Sequence, residues 1–262
     1  MITSLTNKKI KNLVQLAEKA KYRNQQDVFL VEGSKMFWEA KEEEVKEVYV
    51  TELFLKKAEE QGKLREKLEK TGYETVTEEV FKKISATITP QGILAVVKQS
   101  HYELEQLCKK DNPLLFLLED IQDPGNLGTI IRTAEGAGVD GIVMSRNTVD
   151  VYNPKTIRST MGSIYRMPFY YTPNLLDTME ELKQKGISIY AAHLKGKKAY
   201  YDLELTKATA FLIGNEGNGL RKETADQAQE YMIIPMEGQV ESLNAAVASV
   251  ILMYEAARQR RQ

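Results

Sequence analysis

The run LLFLLEDI, residues 114–121, opens with five apolar residues and no polar interruption. A strand with one wet face alternates apolar and polar, so an unbroken run belongs to a strand covered on both faces, as in a parallel sheet layered with helices. The rest of the C-terminal half follows the same plan. A helical pattern over 127–137 leads to a strand GIVMS (141–145), and Asn153 and Pro154 sit at the cap and first position of another helix. MPFYY, a helix near 174–185, ISIYAAH, TAFLIGN (209–215), a short helix near 221–228, YMIIPM (231–236) and a closing helix over 242–261 complete it. Strands alternating with helices predict a mostly parallel α/β sheet with helices on both faces.

The first hundred residues read as a smaller α/β layer. Ile10, Leu13, Val14 and Ala17 fall at helical spacing, followed by a strand at 28–33 and a helix from a Ser34 cap. The strand VKEVYVT, a helical 53–70, YETVT, a short helix near 78–85 and the strand GILAVVKQ (92–99) continue the alternation. The polar stretch 101–113 ends in Asn-Pro and reads as a connection. The expected division is 1–105, a linker at 106–112, and 113–262. No stretch approaches the roughly 20 apolar residues of a membrane span, and the N-terminus lacks a secretory pattern, so a cytoplasmic protein is expected. The single Cys108 and the separated His101 and His193 offer neither an internal disulfide nor a metal-ligand spacing.

Gly136, Gly138 and Gly141 match the spacing G-x-G-x-x-G, but in the wrong context. A dinucleotide fingerprint follows a strand and opens a helix, so that pyrophosphate meets free backbone N–H groups. Here the glycines close a helix and lead into a strand, which reads as a glycine C-cap and tight turn. A nicotinamide oxidoreductase is therefore disfavoured. The informative turns leave strands instead. Asp123-Pro124-Gly125-Asn126 follows the first run, with Arg132 six residues beyond Asn126. FLIGNEGNGL (211–220) turns through Gly214, Gly217 and Gly219 with one acid, Glu216, and lacks the Gly-Lys-Ser/Thr of a Walker loop. IPMEGQVESLNAAVAS (234–249) turns through Gly238 and brings Ser242, Leu243 and Asn244 to the start of a helix. Ser242 and Asn126 are also plausible as plain helix caps. Glycines let backbone approach a ligand, and the C-terminal edge of a parallel sheet is where ligands bind.

Taken in order, DPGNLGTIIRTAEGAG, NPKTIRSTMGSIYRMP, LIGNEGNGL and IPMEGQVESLNAAVASVILMYEAARQR resemble the motifs of the SpoU/TrmH class of RNA ribose 2'-O-methyltransferases in the SPOUT superfamily. NKKIKNLVQLAEKAKYRNQQDVFLVEGSKM resembles the L30e-like substrate-binding domain that precedes the catalytic domain in rRNA-modifying members. The resemblance implies a deep trefoil knot, an exception to the rule against knots, with S-adenosylmethionine bound in it and a homodimer. It implies cofactor contacts from Gly214, Asn215, Glu216, Gly219, Ile234, Met236, Ser242 and Leu243. It also implies catalytic or substrate-facing roles for Asn126, Arg132, Glu216, Ser242 and Asn244.

Methyl transfer to a ribose 2'-oxygen needs alignment and loss of a hydroxyl proton. A guanidinium holds its proton beyond about pH 12, so Arg132 is read as holding the target phosphate and favouring alkoxide formation, with the base left open. The net charge of −1 excludes a uniformly basic coat, but basic residues cluster. Lys8, Lys9, Lys11, Lys21 and Arg23 in the first helical segment, and Arg146, Lys155, Arg158 and Arg166 beside Tyr152 and Tyr165, are expected to meet RNA, most simply rRNA. The competing readings are a non-catalytic RNA-binding or ribosome-assembly protein on the same scaffold, and a tRNA ribose methyltransferase.

Overall fold

The computed structural model describes residues 1–59 and 62–261, and these fall into two compact units, 1–100 with 150–165 and 101–149 with 166–262. In the first unit, α1 (Lys8–Glu18) and α2 (Ala20–Gln26) precede β1 (Val28–Glu32), α3 (Ser34–Glu39), β2 (Val45–Thr51), α4 (Glu52–Glu59), α5 (Gly62–Thr71), β3 (Glu74–Val76), α6 (Glu78–Ile84) and β4 (Ile93–Lys98). The helical segment expected over 53–70 is represented by α4 and α5; residues 60 and 61 lie outside the described residues. The sheet runs β1-β4-β2-β3, antiparallel except for the parallel β2–β3 pair. Val28 and Leu30 of β1 share a core with Ile10, Leu13 and Leu16 of α1 and with Val80, Phe81 and Ile84 of α6. Ser34 lies inside α3, and Gly33, at a φ of 101° that suits glycine, takes the cap position.

The second unit begins with α7 (Leu104–Leu107), opened by a reciprocal Glu103–Gln106 capping box. The stretch expected to be a plain connection thus holds a helix, and Leu104 and Leu107 are buried in the core of this unit. Next come β5 (Leu114–Leu118), α8 (Pro124–Ala137) and β6 (Gly141–Ser145), then α9 (Pro154–Thr160), which belongs to the first unit. The remainder is β7 (Phe169–Thr172), α10 (Leu175–Gln184), β8 (Ser188–Ala192), β9 (Lys198–Ala199), β10 (Thr209–Ile213), α11 (Lys222–Asp226), β11 (Glu230–Ile233) and α12 (Ala245–Arg260). Seven strands run β7-β6-β5-β10-β8-β11-β9, every neighbouring pair parallel.

The α/β expectation holds, and β5, the unbroken apolar run, and β10 are buried along their whole length side by side. Because all strands point one way, the loops after β5, β8, β10 and β11 emerge at one edge. β11 lies between β8 and β9, strands joined by only residues 193–197. Gly138 caps α8 in the left-handed region at φ 79°, its N–H on the carbonyls of Ala134 and Glu135, and Gly141 opens β6. The dinucleotide spacing is therefore a helix end and a strand start.

The segment 150–165 joins the first unit for a physical reason. The face of β1 opposite α1 presents Phe29, which packs 4.7 Å from the Tyr152 ring and 6.2 Å from that of Tyr165. The Tyr152 hydroxyl donates to the Ser100 carbonyl at 2.9 Å, and that of Tyr165 to the Met36 carbonyl at 3.0 Å. Burial pushes the Tyr165 phenol well above its ordinary range. Tyr152 and Tyr165, which stand among the basic residues in sequence, are thus held against Phe29.

Candidate functional site

The site is assembled from the turns at the sheet edge. Asp123 caps α8, its carboxylate accepting the Asn126 N–H at 2.8 Å with Pro124 at the first helical position. Asn126 is therefore released from capping, and its side chain reaches across to two other loops. Its Nδ2 donates to Glu216 Oε1 at 2.9 Å, and its Oδ1 accepts from Asn244 Nδ2 at 3.0 Å. Asn244, rather than Ser242, is the cap of α12, its Oδ1 accepting the N–H groups of Ala246 at 2.9 Å and Val247 at 3.2 Å. The closing helix accordingly starts at Ala245 and not at 242.

The two ends of this chain of amides set its polarity. Helix N–H groups only donate, so Asn244 must turn its oxygen toward α12 and its NH2 toward Asn126. A carboxylate only accepts, so Asn126 must turn its NH2 toward Glu216. Glu216 also accepts the backbone N–H groups of Gln122 at 3.0 Å and Asp123 at 3.1 Å. Burial by itself pushes this carboxyl up, but the Asn126 side chain and the N–H groups of Gln122, Glu216 itself and Asp123 outweigh it and hold it below the usual carboxylate range. Glu216 is thus held as an anion by the donors around it.

Beside this chain lies a cavity of about 360 Å³. Gly214, Asn215, Glu216 and Gly219 enter its wall from the loop after β10, Ile234 and Met236 from the loop after β11, and Ser242 and Leu243 from the approach to α12. A Cβ at Gly214 would run into the backbone of Gly219 and Leu220, so only glycine lets this loop fold back on itself. Asn215 holds the loop, its Oδ1 accepting the N–H groups of Gly217 and Asn218 at 3.0 Å and its Nδ2 donating to the Asp120 carbonyl at 2.8 Å.

Some contributors escaped the sequence reading. Ala192, His193 and Leu194 line the same cavity from the end of β8; the signal was an apolar strand ending at the ligand edge. Glu119, 1% exposed, accepts the Arg221 N–H and Nε, each at 2.8 Å, and the Thr224 hydroxyl, anchoring the far end of the glycine loop. The signal there was the acidic pair Glu119-Asp120 ending an apolar strand. Asp120, next to it, takes a left-handed φ of 54° and is braced by Ser145, whose hydroxyl donates to its Oδ1 at 2.6 Å.

Arg132 lies on the exposed stripe of α8 with Thr129 and Gly136, outside the residues lining the cavity, and pairs with no described residue. Arg146 follows β6, exposed, and Arg166 pairs with Glu135 at 3.0 Å. In the first unit Lys8, Lys11 and Lys21 are exposed, while Lys9 is engaged with Glu74. Arg23 requires a correction. It is 2% exposed, bonded to Asp150 through Nε at 3.1 Å and to the Leu16 carbonyl at 2.6 Å, so it ties 150–165 to the first unit and presents nothing to RNA. Lys155 and Arg158 are exposed on α9.

Comparison with known proteins is decisive at this point. The model of the SpoU rRNA Methylase family matches residues 113–254. The chain belongs to the SpoU rRNA methylase family. A second model, the MRM3-like substrate binding domain, matches residues 7–95. Among SpoU relatives, the chain is 35% identical to the 23S rRNA (guanosine(2553)-2'-O)-methyltransferase RlmP of Bacillus subtilis, over 97% of each chain. It is 30% identical to the 23S rRNA (guanosine-2'-O-)-methyltransferase RlmB of Neisseria meningitidis, over 80% of this chain and 88% of that one. The fold matches the SpoU methyltransferase AviRb of Streptomyces viridochromogenes in complex with AdoMet, with TM-score 0.86, 27% identity, and coverage of 98% and 99%. It matches an AdoMet-bound rRNA methyltransferase of Sinorhizobium meliloti with TM-score 0.83, 30% identity, and coverage of 98% and 97%.

Proposed function

We propose that this SpoU-family chain methylates a ribose 2'-hydroxyl of RNA, with 23S rRNA as substrate and S-adenosylmethionine as methyl donor. The observation that carries the reading is the joining of Asn126, Glu216 and Asn244, from three separate turns, beside a glycine-walled cavity. That cavity suits the cofactor: apolar Ile234, Met236 and Leu243 for an adenine face, and close-approaching backbone at Gly214 and Gly219 for polar edges. Bound there, S-adenosylmethionine supplies an electrophilic methyl group on a sulfonium.

The protein's part is alignment and electrostatics. Arg132, with five donors and no partner among the described residues, is suited to hold the target phosphate and to lower the cost of alkoxide formation at the 2'-oxygen. Glu216, its lone pairs already committed to N–H groups, orients Asn126 and, through it, Asn244. The ribose contact is assigned to Ser242, and its exposed position at the cavity wall supports this.

The same reading assigns RNA capture to residues 1–105, methyl transfer to 113–262, and the cytoplasm as location; among the described residues no helix is long and apolar enough to cross a membrane. It includes a trefoil knot, supported by β11 lying between two strands of one short excursion. It includes a homodimer, supported by Val247 and Tyr254, 48% and 49% exposed two turns apart on the largely apolar α12. The test is to incubate purified protein with S-adenosylmethionine and a 23S rRNA transcript and map 2'-O-methylation. One new mark is expected, lost in Arg132→Ala with cofactor affinity unchanged; near-normal methylation by that variant would remove the central role.

A further inference from the structure

We propose that His193 is a specificity-determining residue for the cofactor, its Nε2–H donating to an acceptor on the adenosine half of S-adenosylmethionine. This rests on the cofactor reading above and adds to the cavity wall a side-chain donor from outside the three turns.

His193 ends the run ISIYAAH and lines the cavity with Ala192 and Leu194. Its backbone is fixed first. The His193 N–H donates to the Met232 carbonyl at 3.0 Å, and its own carbonyl accepts the Gly196 N–H at 2.9 Å, closing a tight turn against β11. A Cβ at Gly196 would come within 2.5 Å of the Met232 carbonyl carbon, so the turn lies this close only because glycine stands there. The imidazole is then held twice. Its ring stacks on that of Tyr231, with centroids 4.6 Å apart and 27° between the planes, and the Tyr231 hydroxyl is itself tied to Asp226. Its Nδ1 accepts the Lys195 N–H at 3.0 Å.

That last bond decides what the ring can do. A backbone N–H only donates, so Nδ1 carries no proton and the single proton of the neutral ring sits on Nε2. Nε2 has no hydrogen-bond partner among the described residues. One ring face is taken by Tyr231, which is not part of the cavity wall, and the Nδ1 edge is taken by the turn. The Nε2–H is the polar group left to the cavity.

Two observations select the adenosine half as the acceptor. A neutral imidazole with one proton suits a ring nitrogen or a ribose hydroxyl, whereas a carboxylate calls for a cation or several converging donors. Among the described residues no lysine or arginine lines the cavity, while Glu216 and Glu241 do. His193 also stands beside β11, whose continuation carries Ile234 and Met236, the apolar residues suited to the adenine face.

The chain has two histidines, so the test reads single residues. Full-length protein labelled with nitrogen-15 histidine is followed by NMR at mildly alkaline pH, and His101→Gln removes the other set of signals and so assigns those of His193. Nδ1 should report the unprotonated acceptor state. Adding S-adenosylmethionine should shift the Nε2–H signal and slow its exchange with water, with His101, outside the cavity wall, unmoved. Calorimetry supplies the second readout. Asparagine places an oxygen near the position of Nδ1 and keeps the bond from Lys195, so His193→Asn should weaken S-adenosylmethionine binding about three- to tenfold, the worth of one neutral hydrogen bond. Glutamine reaches toward the position of Nε2, so His193→Gln should recover part of that loss. The same factor should appear with 5'-methylthioadenosine, which lacks the amino-acid half. A loss confined to S-adenosylmethionine would place the contact on the carboxylate and overturn the assignment. An Nε2–H signal that ignores the cofactor, or wild-type affinity in His193→Asn, overturns it as well. Wild type that binds no S-adenosylmethionine sinks the cofactor reading itself, and this proposal with it.

Discussion

Replacing Asn126 by Asp keeps the shape and reverses one hydrogen bond. The new carboxylate still accepts from Asn244, but toward Glu216 it presents an acceptor where an NH2 donated at 2.9 Å. Losing a hydrogen bond to a charged group costs about 1.5–3 kcal/mol. Repulsion between two carboxylates about 4 Å apart adds roughly 1 kcal/mol in water and up to about 4 near a protein surface, and the exposure of Glu216 argues for the low end. The sum is about 2–4 kcal/mol at pH 7, or a melting midpoint lower by about 4–16 °C at roughly 2–4 °C per kcal/mol.

The pH dependence supplies the sharper test. In the wild type the Glu216 carboxyl lies below its unfolded value, so its contribution is fully present above that value, about 4.3, and is lost as pH falls through the folded one. In Asn126→Asp the pair shares a proton at raised pH, so the folded state binds the extra proton and the penalty shrinks on acidification. Urea unfolding at pH 7 and pH 5, with calorimetric titration of S-adenosylmethionine at each, reads both effects. Equal stability of variant and wild type at pH 7, or a penalty that grows on acidification, would refute the directional chain.

Gly214→Ala should weaken S-adenosylmethionine binding at least tenfold by calorimetry, because the new methyl meets the Gly219 and Leu220 backbone; unchanged affinity would mean the loop can yield. Arg23→Ala should destabilise the first unit by about 3 kcal/mol in urea, the low end for a broken buried pair since Asp150 keeps 23% of its side chain exposed. At permissive temperature that variant should keep the salt slope of RNA binding, which a phosphate contact would lower. Reversing Lys8 and Lys11 to Glu should weaken transcript binding and lower that slope by about 1.5–2; an unaltered slope makes these lysines merely solvated.

The sequence alone determined the α/β layering, because unbroken apolar runs such as 114–118 and 210–213 have nowhere to go but a sheet covered on both faces. It marked the three turns as well, since glycine and asparagine are chosen by local backbone conformation and capping, and these leave a signature over four or five residues. The helix that starts at 124 instead of 127, and the cap that falls to Asn244 instead of Ser242, show where local rules tie and neighbours decide.

Only the tertiary structure decided what the charges and aromatics do. Arg23 and Arg158 carry the same group within basic stretches, yet one is closed off by Asp150, 127 residues away, while the other stays exposed on α9. Tyr152 and Tyr165 resemble stacking platforms in sequence, but Phe29 claims them, because the second face of β1 must be covered by something apolar. The order of the amides from α12 to Glu216 is likewise invisible in a list of polar residues. It follows from which donor and which acceptor stand at the two ends, and those meet only when residues 126, 216 and 244 reach one edge of the sheet.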